Sequence, residues 1–293
     1  MTLALAGAVA GGAAGFLLAL SYYGAHRVLT GNGRVPLTVR PQTLGLPFEA
    51  VACRTADGLT LKGWFVPAAA PSDKTILLCH GWGTNKGAIL AGTAGLRERG
   101  FNLLYFDFRC CGESEGELLS VGHLEARDFD AATEFLRRHR PSDRYAVYGL
   151  SMGAMVAFCG AARHACFEAA ALESPFSSHD LAVVNYLTRA SRVPYFPLVP
   201  LIQFWIRRKL GEDPQPHSPE FVAHRFRVPL LAISGSADPI LPPESAQRLV
   251  DRVSAPKQIW VVDGAGHARC AEVAGEAYAR RLADFYGGVM QRQ

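Results

Sequence analysis

No basic stripe interleaved with aromatic residues runs through this chain, so the electrostatic footprint of a nucleic-acid binder is missing. Nor is there a Cys-x-x-Cys pair, the commonest zinc-site spacing, and neither a metal nor a cofactor is expected. The cysteines are Cys53, Cys79, Cys110, Cys111, Cys159, Cys166 and Cys270, an odd number, and several sit inside apolar runs. There a thiol behaves as a small hydrophobe, and the set suits a reducing compartment better than a disulfide framework. Internal repeats are absent, and so is low complexity beyond an Ala/Gly-rich start. Charge is scarce: 19% of residues, with a net charge of +4, against 49% apolar residues. That balance excludes a disordered chain and describes a folded globule with a sizeable core.

Charge is missing altogether from Thr2 to Tyr23. As a helix this run crosses a hydrocarbon core of about 30 Å, and Tyr22 and Tyr23 close it as interface residues do. Residues 1–23 therefore read as a membrane anchor and 24–46 as a linker. His26, Arg27, Arg34 and Arg40 follow the run, which by the positive-inside rule places the remainder in the cytoplasm. A cleaved signal peptide, with Ala8 and Ala10 near the cut and a secreted product, is the competing reading. Gly7, Gly11 and Gly15 leave one helix face bare, a face on which two copies of the anchor can pair into a homodimer.

From residue 47 on, buried strand patterns alternate with helical ones: "TILLC", "NLLYF", "YAVYGL", "AAALES", "PLLAISG" and "QIWVV". Such alternation means βαβ units and a mainly parallel sheet with helices on both faces. The segment "FEAVACRTADGLTLKGWFVPA" adds an antiparallel hairpin. Between about 176 and 227 the alternation stops, and an apolar, aromatic insertion intervenes.

Ligands of open α/β sheets bind at the carboxyl ends of the strands. Ser151 ends "YAVYGL" inside Gly149-Leu150-Ser151-Met152-Gly153, the G-x-S-x-G spacing of a nucleophile on a sharp strand-to-helix turn. Asp238 follows "PLLAISG", and His267 follows "QIWVVDG". A serine hydroxyl needs a base, His267, and the imidazole needs an acid to hold its tautomer. Asp238 ranks first for that acid; Asp263 and Glu173 also end strands. The backbone N–H groups of Met152 and of Trp82, in the loop after "HG", are candidates for an oxyanion hole.

These residues carry a resemblance. "CHGWGTNK", "FDFRCCGESEG", "GLSMGA", "GSADPILP" and "GAGHA" are similar to the motifs of the α/β-hydrolase superfamily, in its serine-aminopeptidase-like and lysophospholipase-like branch. The likeness covers the chain from about Phe48 onward. It implies an α/β-hydrolase domain over 47–293, a helical cap at 176–227, and Ser151, His267 and Asp238 as nucleophile, base and acid. One departure is Cys110, where the family pattern has glycine; a positive φ there strains the cysteine. As the cap, the insertion implies an apolar substrate pocket built from Phe196, Leu201, Phe204 and Trp205. The expected activity is hydrolysis of a carboxylic ester or thioester, the substrate being a small or lipid-like ester with an apolar part. Amide or peptide hydrolysis, or a non-catalytic membrane-tethered binding protein, are the alternatives.

Overall fold

The computed structural model describes residues 2–31, 33–141 and 143–291, with side chains from residue 8 onward. Helix α1 (Thr2–Thr30) leads into β1 (Glu49–Arg54), β2 (Thr60–Val66) and β3 (Lys74–Cys79). Then follow α2 (Leu90–Thr93), β4 (Asn102–Phe106), α3 (Glu125–His139), β5 (Arg144–Leu150), α4 (Met152–Arg163) and β6 (Phe167–Glu173). The insertion holds α5 (His179–Asn185), α6 (Leu198–Leu210) and α7 (Pro219–Val222). The chain closes with β7 (Leu230–Gly235), α8 (Pro243–Val250), β8 (Lys257–Val262), α9 (Cys270–Ala274) and α10 (Glu276–Val289).

The strands form one eight-stranded sheet in the order β1-β2-β4-β3-β5-β6-β7-β8. The β1–β2 and β2–β4 pairs are antiparallel, and every pair from β4 to β8 is parallel. Because β4 lies on one side of β3 and β5 on the other, the winding reverses at β3. The loops leaving β3 and β5 therefore part from each other there, which opens a crevice at their carboxyl ends.

Alternation along each strand builds two cores, one on each face of the sheet. Leu77 and Cys79 of β3 pack with Phe129 of α3, Ala154 of α4 and Leu249 of α8. Ile76 and Leu78 face Leu90 of α2, Cys270 of α9 and Tyr278 of α10. This is the mainly parallel sheet with helices on both faces that the alternation of strand and helix patterns predicts, and the α/β-hydrolase fold that the motif resemblance implies.

The N-terminal helix differs from expectation in its extent. It runs on to Thr30 instead of giving way to a linker after Tyr23. Side chains from Ala8 to Leu20 are exposed apart from half-buried Leu17, whereas Ser21, Ala25, Val28 and Leu29 are buried. That 21/25/28/29 spacing is one helical stripe. It packs on Val199, Ile202 and Ile206 of α6, on Val183 of α5 and on Leu187 in the turn after it. Gly24 allows the approach: a Cβ there would lie 2.7 Å from Ile202 Cδ1. His26 and Arg27 sit on the outer side, which is why composition alone reads the segment as linker. The portion before the docked stripe, free from Ala8 on, runs from Thr2 to Leu20 and measures about 28 Å at 1.5 Å per residue, close to a bilayer's hydrocarbon thickness. Gly11 and Gly15 meet nothing within 4 Å; Gly7 of the expected pairing face lies outside the residues whose surroundings are described.

Candidate active site

Ser151 sits between the last residue of β5 and the first of α4, with φ 54° and ψ −114°, a strained region for a residue bearing a Cβ. Its two flanking glycines are needed for space. A Cβ on Gly149 would lie 2.4 Å from the Gly153 carbonyl oxygen, and one on Gly153 would lie 2.2 Å from that of Cys79. The elbow thus presses against the end of β3, and only bare Cα atoms permit it.

His267 Nε2 lies 3.0 Å from Ser151 Oγ, and His267 Nδ1 lies 2.7 Å from Asp238 Oδ2. A proton on Nδ1 donates to Asp238 and leaves Nε2 free to accept from the serine hydroxyl. The parallel register of β7 and β8, with Gly235 opposite Val262, brings the loops bearing Asp238 and His267 to neighbouring strand ends. Asp238 is buried and fully engaged. Its Oδ1 accepts from Ile240 N–H at 2.9 Å and Leu241 N–H at 2.8 Å, and its Oδ2 also accepts from Ser174 Oγ at 3.1 Å. The other two candidate acids point elsewhere. Asp263 accepts from Ser236 Oγ at 2.9 Å on the surface. Glu173 is buried and accepts from Tyr148 OH at 3.1 Å, Cys270 N–H at 3.0 Å and Tyr278 OH.

The loop after β3 lies directly against the serine: a Cβ on Gly81 would be 3.8 Å from Ser151 Cβ. Met152 N–H heads α4, where helix geometry offers no partner. Among the described residues neither this group nor Trp82 N–H meets a protein acceptor. What holds the loop was not read from the sequence. His80 is wholly buried; its Nε2 accepts from Phe108 N–H at 3.0 Å and its Nδ1 donates to Gly81 O at 2.8 Å. Burial pushes its pKa below the ordinary histidine value, which keeps the ring neutral in this bridging tautomer. Below it the buried Lys86 ammonium pairs with Asp107 and, at 2.8 Å, with Glu113. These contacts tie the loop after β3 to the loop after β4. "HGWGTNK" and "FDFR" held the signal, as polar residues at adjacent strand ends, but not its inward direction. In the latter loop Cys110 adopts φ 61°, the strained conformation expected if the position requires a positive angle. Both Cys110 and Cys111 are buried free thiols.

Beside Ser151 and His267 opens a cavity of about 140 Å³, walled by Val121, Phe176, Val183, Tyr186 and Ile240 and by Val28 of α1. The expected pocket residues are not among its walls. Phe196 is 80% exposed and Phe204 56% exposed. Trp205 packs edge-on to Tyr22 at 5.4 Å and donates Nε1–H to Ser21 Oγ at 3.2 Å; Leu201 is half-buried on the same helix. The correction has a plain cause. The apolar stripe of α6 is taken by α1, so α5 and the turn after it face the serine instead.

A family profile described as serine aminopeptidase, S33, matches residues 70–222, just over half of the chain. The chain belongs to the S33 family. An uncharacterized protein of Mycobacterium tuberculosis is 34% identical over 221 residues, covering 74% of this chain and 71% of the relative. YqkD of Bacillus subtilis, also uncharacterized, is 28% identical over 239 residues, 79% of this chain and 76% of its own length. Among solved structures, the Pyrococcus furiosus esterase Pf2001 superposes with a TM-score of 0.73 at 26% identity, covering 88% of this chain and 97% of that one. The S33 match spans the loop after β3 and Ser151 and ends before Asp238 and His267. In this S33-family chain those two residues are therefore placed by geometry.

Proposed function

We propose that the protein is a membrane-anchored serine hydrolase that cleaves a carboxylic ester or thioester with an apolar part, through Ser151, His267 and Asp238. The observation that carries this reading is the continuous hydrogen-bonded line from Ser151 Oγ through His267 to Asp238, opening on an apolar cavity. Its kinship with an esterase of known structure supports it. In the reaction Ser151 Oγ attacks the acyl carbon while His267 Nε2 takes its proton. Asp238 stabilises the resulting imidazolium. The oxyanion lies at Met152 and Trp82 N–H, and His267 returns the proton to the leaving alcohol or thiol. Water, deprotonated by His267, then releases the acid from the acyl-enzyme. Among the described residues the cavity walls carry no carboxylate to hold a peptide's α-ammonium, which favours ester over aminopeptidase chemistry.

The anchor reading rests on α1: among the described residues its stretch Ala8–Thr30 is, by length and composition, apolar enough to cross a membrane, and since the part from Ser21 on is docked on the cap, the spanning part is Thr2–Leu20. We place the catalytic domain on the cytoplasmic side, following the arginines after the helix. Ser151→Ala is expected to fold and to lose p-nitrophenyl ester hydrolysis by a factor on the order of a thousand or more. Wild type should take up a fluorophosphonate at Ser151. A wild type that neither labels nor turns over any activated ester would make the chain a non-catalytic binding protein.

A further inference from the structure

A second concavity lies where α1 meets the cap. It is a groove of about 530 Å³, walled on one side by Leu20, Tyr23 and Arg27 of α1 and on the other by Leu187, Arg192 and Leu198. Val28 and Tyr186 line both this groove and the cavity at Ser151, so these two side chains form the partition between them. Leu20 is also the last residue of the free portion of α1. If that portion crosses a bilayer, the groove opens at the membrane surface. The rim agrees. Tyr23, one of its walls, is exposed, as are Tyr195 and Phe196 just past the wall residue Pro194. Tyrosines of this kind mark the headgroup level.

Volume and charge say what fits. The cavity at Ser151, about 140 Å³, is smaller than ordinary ligand sites of roughly 300–1,000 Å³ and suits a short apolar group. The longer part of any substrate must lie elsewhere, and the groove is the adjoining space. Its walls are mainly aliphatic, with two exposed guanidinium groups that make no ion pair among the described residues. Arginine is the side chain suited to bidentate capture of a phosphate or carboxylate.

We propose that the α1–cap groove binds an amphiphile with one apolar chain and an anionic group, reached from the bilayer, and presents its ester to Ser151 across Val28 and Tyr186. This rests on the serine-esterase reading for its chemistry, with a water added and an acid and an alcohol released. Short apolar substituents on one side of the ester fill the cavity; the chain and the anionic group on the other side occupy the groove.

The test uses the full chain in neutral-detergent micelles and two independent readouts. The first is binding of dodecyl phosphate, which needs no catalysis and is measured on Ser151→Ala. Adding Arg27→Gln and Arg192→Gln should weaken it about tenfold or more, as expected for hydrogen bonds to a charged group. Inorganic phosphate at the same concentration should not displace it. The second is the ratio of kcat/KM for a long-chain ester carrying a terminal phosphate to kcat/KM for p-nitrophenyl acetate. That ratio should fall about tenfold in the Arg27→Gln, Arg192→Gln enzyme and rise in Val28→Ala, which thins the partition. Unchanged binding and an unchanged ratio overturn the proposal, as does equal displacement by inorganic phosphate. Arginine-dependent binding in a wild type that takes up no fluorophosphonate would instead overturn the esterase reading and leave the groove as a lipid site.

Discussion

Single residues carry most of the testable chemistry. Asp238 holds the imidazole by its Oδ2, so Asp238→Asn keeps the shape but favours the wrong tautomer. A protease with the same arrangement loses roughly ten-thousand-fold in turnover on that change, and a large loss in the same direction is expected here. Asp263→Asn, exposed and among the described residues bonded to Ser236 alone, should leave ester hydrolysis nearly unchanged. Steady-state kinetics on both variants decides the acid; the reverse ranking would move it to Asp263. His80 sets a pH dependence of stability. Its folded pKa lies below the ordinary 6.5, so below that pH the unfolded chain takes up a proton that the folded one refuses. Its contribution is therefore complete above pH 6.5 and declines as pH falls toward the folded value, by at most about 1.4 kcal/mol per pH unit. Between pH 6.5 and 5.5 the melting temperature of the wild type should fall by a few degrees relative to that of His80→Gln, which shares the other groups titrating there: His217, also held low by burial, and Asp128, whose buried carboxyl is raised to about 7 and acts in the opposite direction. Carboxylates held low by cations, such as Glu113 beside Lys86, act in a more acidic window and do not mask this. Equal slopes in the two proteins would refute the buried neutral ring. Ser151 and His267 were legible because G-x-S-x-G and a strand-end histidine are local patterns. The roles of His80 and Lys86 were not, since they depend on which neighbouring loop each side chain enters.

At the scale of elements, the second half of α1 is the departure that matters most. Leu29 is fully buried, and its carbonyl accepts from Leu119 N–H at 2.7 Å. Leu29→Ala should cost about 2–5 kcal/mol, the usual range for a buried leucine, seen as a lower urea midpoint in detergent. Leu18→Ala, in the free portion at 47% exposure, should cost nearly nothing. Equal effects would mean that α1 does not dock. The cap shows why its aromatic run misleads as a pocket signal. An apolar stripe on a helix announces that something covers it, not what covers it. Here α1 does, and Trp82 reinforces the contact by donating Nε1–H to Val28 O at 3.0 Å.

For the whole molecule the prediction concerns topology. Ser21 is buried at the junction, bonded to Trp205, and the residues that follow it are part of the folded cap contact. An uncleaved anchor is expected, and N-terminal sequencing of membrane-extracted protein should find residues near position 1. A mature chain starting near Ser21 would establish the signal-peptide reading. Reporter fusions at either end should place the C-terminus in the cytoplasm. Arg34 donates to the carbonyls of Gly112, Ser114 and Gly116, and Arg40 pairs with Glu113. Two of the flanking cations thus also brace the loop after β4, so their presence serves the fold as well as any orienting role.

The sequence by itself determined the class of fold, the strand ends that carry chemistry, and an apolar N-terminal helix. Each is written in short-range patterns: alternation along strands, helical periodicity, and glycine spacing around one serine. Only the tertiary structure decided that Asp238 rather than Asp263 or Glu173 meets His267, because strand-end direction depends on the register between β7 and β8. It alone decided that α1 walls the cavity at Ser151, because Val28 and Ser151 lie far apart in the chain and meet only once the cap has closed over both.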